Sequence, residues 1–325
     1  MLPAQRASRA PGARIEVDAP QQTAGRARIG EYLIQARAQD APRELAPIAG
    51  TVRLVVTSPP YHNAIAYDSH VQDATANYRT RQTVDYARDY LPMLDEVWNA
   101  CRTMLAPGGC LAVNVGTVLL DGYHFPLPQD IQARLLAEPG KWVFVRNILW
   151  NKVTAGVRRA GTAIKYGLPG YWYPNIMTEH IIVVRKPGPV RPLVSDAPPE
   201  WWLPVWDLAP VPPRQIPHPA PFPEDLPHRL VRMLTEPGDV VFDPFLGAGS
   251  TAKAAFDLGR VPAGTDIIAD YVRIARRRLA EPSLVRAHQL RIHTVAEDAF
   301  VPRRMKSPTR HGAGIKARAR QATPR

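Results

Sequence analysis

The sequence predicts an α/β fold built on an open, mostly parallel sheet, and three observations predict it. Short apolar runs at residues 52–56, 110–115 and 239–243 read as buried strands, and stretches of helical spacing alternate with them. Two of these strands run straight into loops dense in proline, glycine and a few polar groups, Thr57-Ser58-Pro59-Pro60-Tyr61 and Asp243-Pro244-Phe245-Leu246-Gly247-Ala248-Gly249. Open parallel sheets place their chemistry in such loops, at the carboxyl ends of strands. The chain has 325 residues, 45% of them hydrophobic, enough to bury the core of one large domain with insertions.

Taken in order, residues 1–28 are rich in Ala, Arg, Pro and Gln and read as a disordered basic arm. A main domain is expected over residues 29–300. Tyr32-Leu33-Ile34 suits a short strand and residues 41–48 a short helix or turn. The strand at 52–56 must stop at Pro59 and Pro60, which fix φ and supply no backbone N–H. Residues 62–90 are polar, include Arg79 and Arg81, and read as an insertion that orders on a partner, followed by the start of a helix.

Between residues 86 and 105, Tyr90, Leu94, Val97, Trp98, Cys101 and Leu105 fall at helical spacing. Pro92 marks a first turn or a kink, and Ala106-Pro107-Gly108-Gly109 is expected to end the helix. A strand at 110–115, a helix at 128–138 and a strand at 142–150 follow. Residues 151–178 interleave Arg158, Arg159 and Lys165 with Tyr166, Tyr171, Trp172 and Tyr173. Cations for phosphate and rings for stacking suit a nucleic-acid surface; a long loop whose aromatics pack back on the domain is the alternative. Residues 179–184 form a strand. Many of the 35 prolines then fall in 187–227, which reads as an extended crossover docked through its tryptophans. A helix at 226–234, the strand at 239–243, a helix at 250–258, a strand at 261–265 and a basic helix at 271–279 complete the domain. Residues 301–325 are basic without acids and read as a disordered tail able to grip DNA non-specifically.

The formal net charge of +12 points to a polyanionic partner, most often nucleic acid; a basic tail added for solubility is the alternative. No apolar run is long enough for a bilayer and no signal segment opens the chain, so a cytoplasmic protein without a membrane partner is expected. The two cysteines, Cys101 and Cys110, form no CxxC motif or His/Cys cluster, and no metal is expected.

The first loop offers a hydroxyl (Ser58), carbonyls with no proline N–H to satisfy them, and a flat ring (Tyr61). Those parts suit a planar aromatic amine. The exocyclic amine of cytosine or adenine is a poor nucleophile because its lone pair is delocalised. Two acceptors on its hydrogens, the Ser58 hydroxyl and the Pro59 carbonyl, favour a more tetrahedral nitrogen. Tyr61 can stack on a base that has left its duplex. A Pro-Pro turn closing a strand is the plainer reading. In the second loop, glycines allow close backbone approach to a ligand, and Asp266 ends the next strand where a carboxylate can accept ribose hydroxyls. That half suits an adenosine-type cofactor. Gly247-x-Gly249-x-x-Ala252 also fits the dinucleotide fingerprint loosely, so NAD stays open on this motif alone.

Together, Thr57-Ser58-Pro59-Pro60-Tyr61 and Asp243-Pro244-Phe245-Leu246-Gly247-Ala248-Gly249-Ser250-Thr251 resemble the DNA amino-methyltransferases, in the motif order of their β class. Leu111-Ala112-Val113-Asn114-Val115-Gly116, Glu179-His180-Ile181-Ile182-Val183-Val184 and His218-Pro219-Ala220-Pro221-Phe222-Pro223 are similar to further family segments. The resemblance covers residues 30 to 285 or so. It implies the S-adenosylmethionine-dependent methyltransferase fold, a Rossmann-like, seven-stranded, mostly parallel sheet in permuted motif order. It implies S-adenosyl-L-methionine as cofactor and double-stranded DNA as partner, with a cognate restriction endonuclease and a homodimer as further partners to consider.

Carried over by position, Ser58, Pro59, Pro60 and Tyr61 match the catalytic loop. Thr57, Asp243, Pro244, Phe245, Gly247, Gly249, Thr251 and Asp266 match the cofactor site, and His218, Pro219 and Phe222 the segment closing over the methionyl end. Arg79, Arg81, Arg158, Arg159, Lys165 and Tyr171 are the expected DNA contacts, because no separate recognition domain is evident. Neither cysteine follows a proline, as the nucleophile of a cytosine-C5 enzyme would. Ser58 stands where adenine-N6 enzymes usually carry Asp, so the expected product is N4-methylcytosine, made by base flipping and direct in-line transfer. An adenine-N6 enzyme and a non-catalytic DNA-binding protein with this fold are the alternatives.

Overall fold

The strand that ends in the Ser-Pro-Pro-Tyr loop lies in the middle of the sheet. This is β2 (Val52–Thr57), and five of its six residues are buried, as expected of a strand with neighbours on both edges and helices on both faces. One edge pairs in parallel with β9 (Val240–Asp243), which leads into the glycine loop, and the other with β3 (Leu105–Val115). Beyond β9 lie β10 (Val261–Asp266) and then β1 (Tyr32–Gln35), both parallel. Beyond β3 lie the antiparallel β7 (Thr178–Arg185), then β6 (Val143–Asn151) and β8 (Val205–Asp207). The structure is a computed structural model that describes residues 30–61, 85–120, 123–152, 176–192, 196–211, 215–216 and 221–285.

Among the described residues the sheet therefore has eight strands in the order β1-β10-β9-β2-β3-β7-β6-β8, with β7 alone reversed. The sequence predicts seven. The extra strand, β8, is three residues long and comes from the Pro-rich crossover, where Pro199–Trp202 also forms one 3-10 turn. A separate hairpin, β4 (Val118–Leu120) with β5 (Tyr123–Phe125), is a second element that hydrophobic spacing did not reveal. From β9 the chain steps one way, to β10. From β2 it steps the other way, to β3. Strand order thus reverses between β9 and β2, the switch point at which open α/β sheets bind ligands.

Alternation along β2 sends neighbouring side chains to opposite cores. Val55 joins Val113 and Phe242 in a core closed by α1 (Ala41–Glu44), α2 (Leu91–Met104) and α3 (Leu127–Leu136); α2 contributes Leu94, Val97, Trp98, Cys101 and Met104 at spacings of three and four. Val56 joins Ala112 and Val241 on the other face, under Leu226, Leu230 and Val231 of α4 (Asp225–Leu234). On that face α5 (Ser250–Asp257) and α6 (Ala269–Leu279) pack side by side, with Ala252, Val272 and Ala275 meeting Leu33 of β1.

Pro92 is the second residue of α2 and lacks an N–H, and a single π-type turn at Tyr86–Tyr90, closed by the Leu91 amide on the Tyr86 carbonyl, precedes it. Residues 106–109 do not cap this helix with a separate turn. The chain passes from Met104 straight into β3, and these four residues bulge out, because Val52 pairs with Leu105 while Leu54 pairs with Cys110. The Lys186 ammonium caps the helix instead, donating to the carbonyls of Arg102 (2.8 Å) and Leu105 (2.6 Å). No helix of the described residues is long and apolar enough to cross a membrane.

Candidate active site

Pairing of β2 with β9 brings the two loops together across 186 residues of sequence. The Thr57 hydroxyl donates to Asp243 Oδ1 at 2.6 Å, and both residues are buried. A second tie runs the other way: the Thr251 hydroxyl, in the first turn of α5, donates to the Val56 carbonyl at 3.1 Å. The end of each strand is thereby pinned to the loop or helix that follows the other.

Asp243 also accepts the Phe245 amide on Oδ1 at 3.0 Å, while its second oxygen, Oδ2, is buried without a partner among the described residues. Thr251 lies close by, but its proton goes to Val56. Burial pushes the Asp243 carboxyl up to about 7, against the opposing hydrogen bonds from Thr57 and Phe245. Asp266 ends β10 and holds the loop from the far side. Its Oδ2 accepts the Gly247 amide at 2.8 Å and its Oδ1 the Ile268 amide at 2.9 Å. Burial raises this carboxyl to about 6. Each oxygen keeps a second lone pair, so the two amides fix the carboxylate without exhausting it as an acceptor.

Gly249 has φ +79, and a Cβ there would stand 2.6 Å from the Ala275 Cβ of α6. Only glycine permits both that conformation and that approach. The turn releases α5 with its N-terminus at the loop, a polarity that favours negative charge nearby. The Pro244 carbonyl is held by the Thr265 hydroxyl at 2.9 Å, and Phe245 packs on the first core. The Phe222 carbonyl accepts the Ser250 hydroxyl at 3.1 Å, which seats that segment at the start of α5. Behind the loop, Arg278 donates to the Ala248 carbonyl and to Glu224, and Glu224 also accepts the Leu284 amide at 2.7 Å. A buried ion pair so clamps the loop to α6.

These features fit an adenosine-type ligand with a cationic amino-acid end. The orphaned Oδ2 of Asp243 supplies a buried acceptor for an ammonium, and Asp266 keeps acceptor capacity for hydroxyls.

In the catalytic loop, Pro59 is buried while Ser58, Pro60 and Tyr61 are half-buried. The Tyr90 hydroxyl donates to the Pro60 carbonyl at 2.7 Å, and Tyr90 itself stacks on Tyr86, ring centroids 5.9 Å apart. Tyr61 packs against the same aromatic end of the first core. Among the described residues no hydrogen bond engages the Ser58 hydroxyl or the Pro59 carbonyl. Beyond Ser58, polar side chains line the same end of the sheet. Asn114 of β3 donates through Nδ2 to Glu179 Oε2 of β7 at 2.6 Å, and Glu179 is paired with Lys152.

The structure therefore brings together Thr57, Ser58, Pro59, Pro60 and Tyr61 with Asp243, Pro244, Phe245, Gly247, Gly249, Thr251 and Asp266, and sets Phe222 beside them. His218, Pro219, Arg79, Arg81, Arg158, Arg159, Lys165 and Tyr171 lie outside the described residues. Tyr90, Asn114, Glu179 and Arg278 carry no site role in the sequence reading. A polar residue at 114, inside an otherwise apolar strand, is the signal that could have singled one of them out.

Comparison with known proteins identifies the family of this chain. The family model of the N6/N4 DNA methylases matches residues 52–277. The Type II methyltransferase M.MjaI of Methanocaldococcus jannaschii is 29% identical over 252 residues, 67% of this chain and 81% of that one. The Type II methyltransferase M.BglII of Bacillus subtilis is 32% identical over 253 residues, 71% of this chain and 64% of that one. Among solved structures, a Thermus thermophilus protein complexed with S-adenosyl-L-methionine superposes with a TM-score of 0.57 at 31% identity, covering 77% of this chain and 93% of that one. The PvuII DNA methyltransferase (cytosine-N4-specific) superposes with a TM-score of 0.58 at 18% identity, covering 81% and 94%, and shares the fold.

Proposed function

The chain belongs to the N6/N4 DNA methylase family, and from that premise we propose that it methylates N4 of cytosine in duplex DNA. Its cofactor is S-adenosyl-L-methionine, which supplies an electrophilic methyl group on a sulfonium. One observation carries the reading. The Ser58 hydroxyl and the Pro59 carbonyl stand at the carboxyl end of β2, without hydrogen bonds among the described residues, beside the strand that ends in Asp243.

Two neutral acceptors so placed suit the two hydrogens of an exocyclic amine. Holding them draws the nitrogen toward a tetrahedral shape and frees its lone pair. The new N–C bond forms as the S–C bond breaks, and the surplus amine proton leaves to solvent. Tyr61 stacks on the extruded base. Asp243 takes the ammonium of the methionyl end through Oδ2, Asp266 the ribose hydroxyls, and Phe222 with His218 and Pro219 covers the methionyl end. Residues 62–90 and 151–178 share recognition of the duplex. Ser58, rather than a carboxylate, at the head of the tetrapeptide supports cytosine over adenine. Most of the acceleration comes from positioning and preorganised hydrogen bonds.

The test is to incubate the protein with duplex DNA of mixed sequence and S-adenosyl-L-methionine carrying a labelled methyl, then digest to nucleosides and separate them. Label in N4-methylcytosine supports the proposal. Label in N6-methyladenine overturns the choice of base and keeps the chemistry. Absence of label from every nucleoside, with cofactor bound, overturns DNA methyl transfer.

A further inference from the structure

We propose that Asn114 is a positioning residue for Ser58: its side-chain carbonyl accepts a hydrogen bond from the Ser58 hydroxyl when a base occupies the site, so that the serine oxygen meets the amine as an acceptor. This rests on the reading of Ser58 above and deepens it.

A serine hydroxyl carries one hydrogen and two lone pairs. If it is to accept from an amine, its own hydrogen must point elsewhere, because two donors facing each other repel. That hydrogen then needs an acceptor on a neighbouring group. The sheet register names the neighbour. Val56 lies opposite Ala112, and Thr57, the last residue of β2, lies opposite Val113; carried one residue past the end of β2, that register brings Ser58 to Asn114. Residues opposite each other share a face, and Val56 and Ala112 do lie in one core. Adjacent strands run about 4.8 Å apart, within reach of one hydrogen bond between short side chains.

Asn114 is ready for the part. It is 1% exposed, and its Oδ1 is buried with no partner among the described residues. An acceptor left so is costly, and a strand buried on both faces gains no packing from it. The orientation of the amide is also fixed. Nδ2 donates to Glu179 Oε2, and a carboxylate only accepts, so the amide cannot turn over. Glu179 is 6% exposed and held in turn by the Lys152 ammonium, which lies over the Trp150 ring. Glu179 sits two residues from Ile181, the partner of Asn114 on β7, and opposite Trp150 on β6. Lys152, Glu179 and Asn114 thus form a row along one face of the sheet's rim that ends at Ser58, with an oxygen left at that end.

A double-mutant cycle tests the assignment. Single-turnover methyl transfer to duplex DNA of mixed sequence, at saturating labelled S-adenosyl-L-methionine, is measured for Ser58→Ala, Asn114→Ala and both together, with cofactor affinity and thermal unfolding for each. Asn114→Ala should slow transfer about tenfold with cofactor affinity unchanged, and should add nothing in the Ser58→Ala background. Glu179→Gln, whose amide can donate to Oδ1 and occupy it, should show the same partial loss, again only when Ser58 is present. This second variant carries the cycle if Asn114→Ala does not fold. Losses that multiply in the double variants, or wild-type rates for Asn114→Ala and Glu179→Gln, overturn the role of Asn114 and leave that of Ser58 standing. A wild-type rate for Ser58→Ala alone overturns the reading of Ser58, and the inference with it.

Discussion

Asp243 sets a pH dependence that can be worked out from its surroundings. Burial raises its carboxyl from 3.8 to about 7, so the folded protein holds a proton that the unfolded chain releases near pH 4. Stability contributed here therefore falls as pH rises from about 4 to about 7, and ionisation without a counter-charge costs roughly 4 kcal/mol. A bound ammonium reverses the preference, because it favours the carboxylate. Cofactor binding should then release a proton, and affinity should rise about tenfold between pH 6 and pH 8. Calorimetric titration at both pH values should show that rise, and Asp243→Asn should flatten it. Tyr90 has a different task. Its hydroxyl anchors the Pro60 carbonyl at 2.7 Å. Tyr90→Phe should loosen the catalytic loop, lowering turnover several-fold, about 1 kcal/mol, at unchanged cofactor affinity; steady-state kinetics with a cofactor titration separates the two. Ser58 and Asp243 are legible in the sequence because proline and glycine punctuate the strand ends around them. Tyr90 and Asn114 are not, because their partners depend on where distant segments come to lie.

At the scale of elements, the glycine loop is held at three points by two elements: by Asp266 of β10, and by α6 through Ala275 against Gly249 and Arg278 on the Ala248 carbonyl. Gly249→Ala must adopt a left-handed conformation and displace α6. A cost of about 2–4 kcal/mol is expected, seen as a fall in Tm of roughly 5–10 °C together with weaker cofactor binding. The long periodic helices and the apolar strands were readable to within a few residues, since each follows from local spacing. The bulge at 106–109 was not, because it answers to the register of β3 against β2. Neither were β8 and the β4–β5 hairpin, three residues per strand, too short for alternation to register.

For the whole molecule, the excess charge of +12 predicts how binding responds to salt. Affinity for duplex DNA should fall on the order of a hundredfold between about 50 and 200 mM salt, as release of counterions from a few phosphate contacts requires. Fluorescence anisotropy across that range measures it, and a flat response would exclude the charge as a source of affinity. The overall α/β architecture was readable because its motifs mark strand ends, whereas the strand count was not, since an edge strand of three residues adds little apolar signal. One consequence of the sheet order concerns how the chain comes to be made. β9 lies between β10 and β2, yet follows β2 by most of the protein, Thr57 and Asp243 being 186 positions apart. At ordinary rates of synthesis that gap lasts roughly 10 to 40 seconds. Throughout it, β2 presents a bare parallel edge at the future centre of the sheet, and β1 has no neighbour at all until β10 emerges. The nascent protein is thus most exposed to mispairing at the place where its finished form does chemistry, and a chaperone acting during translation would find its client there.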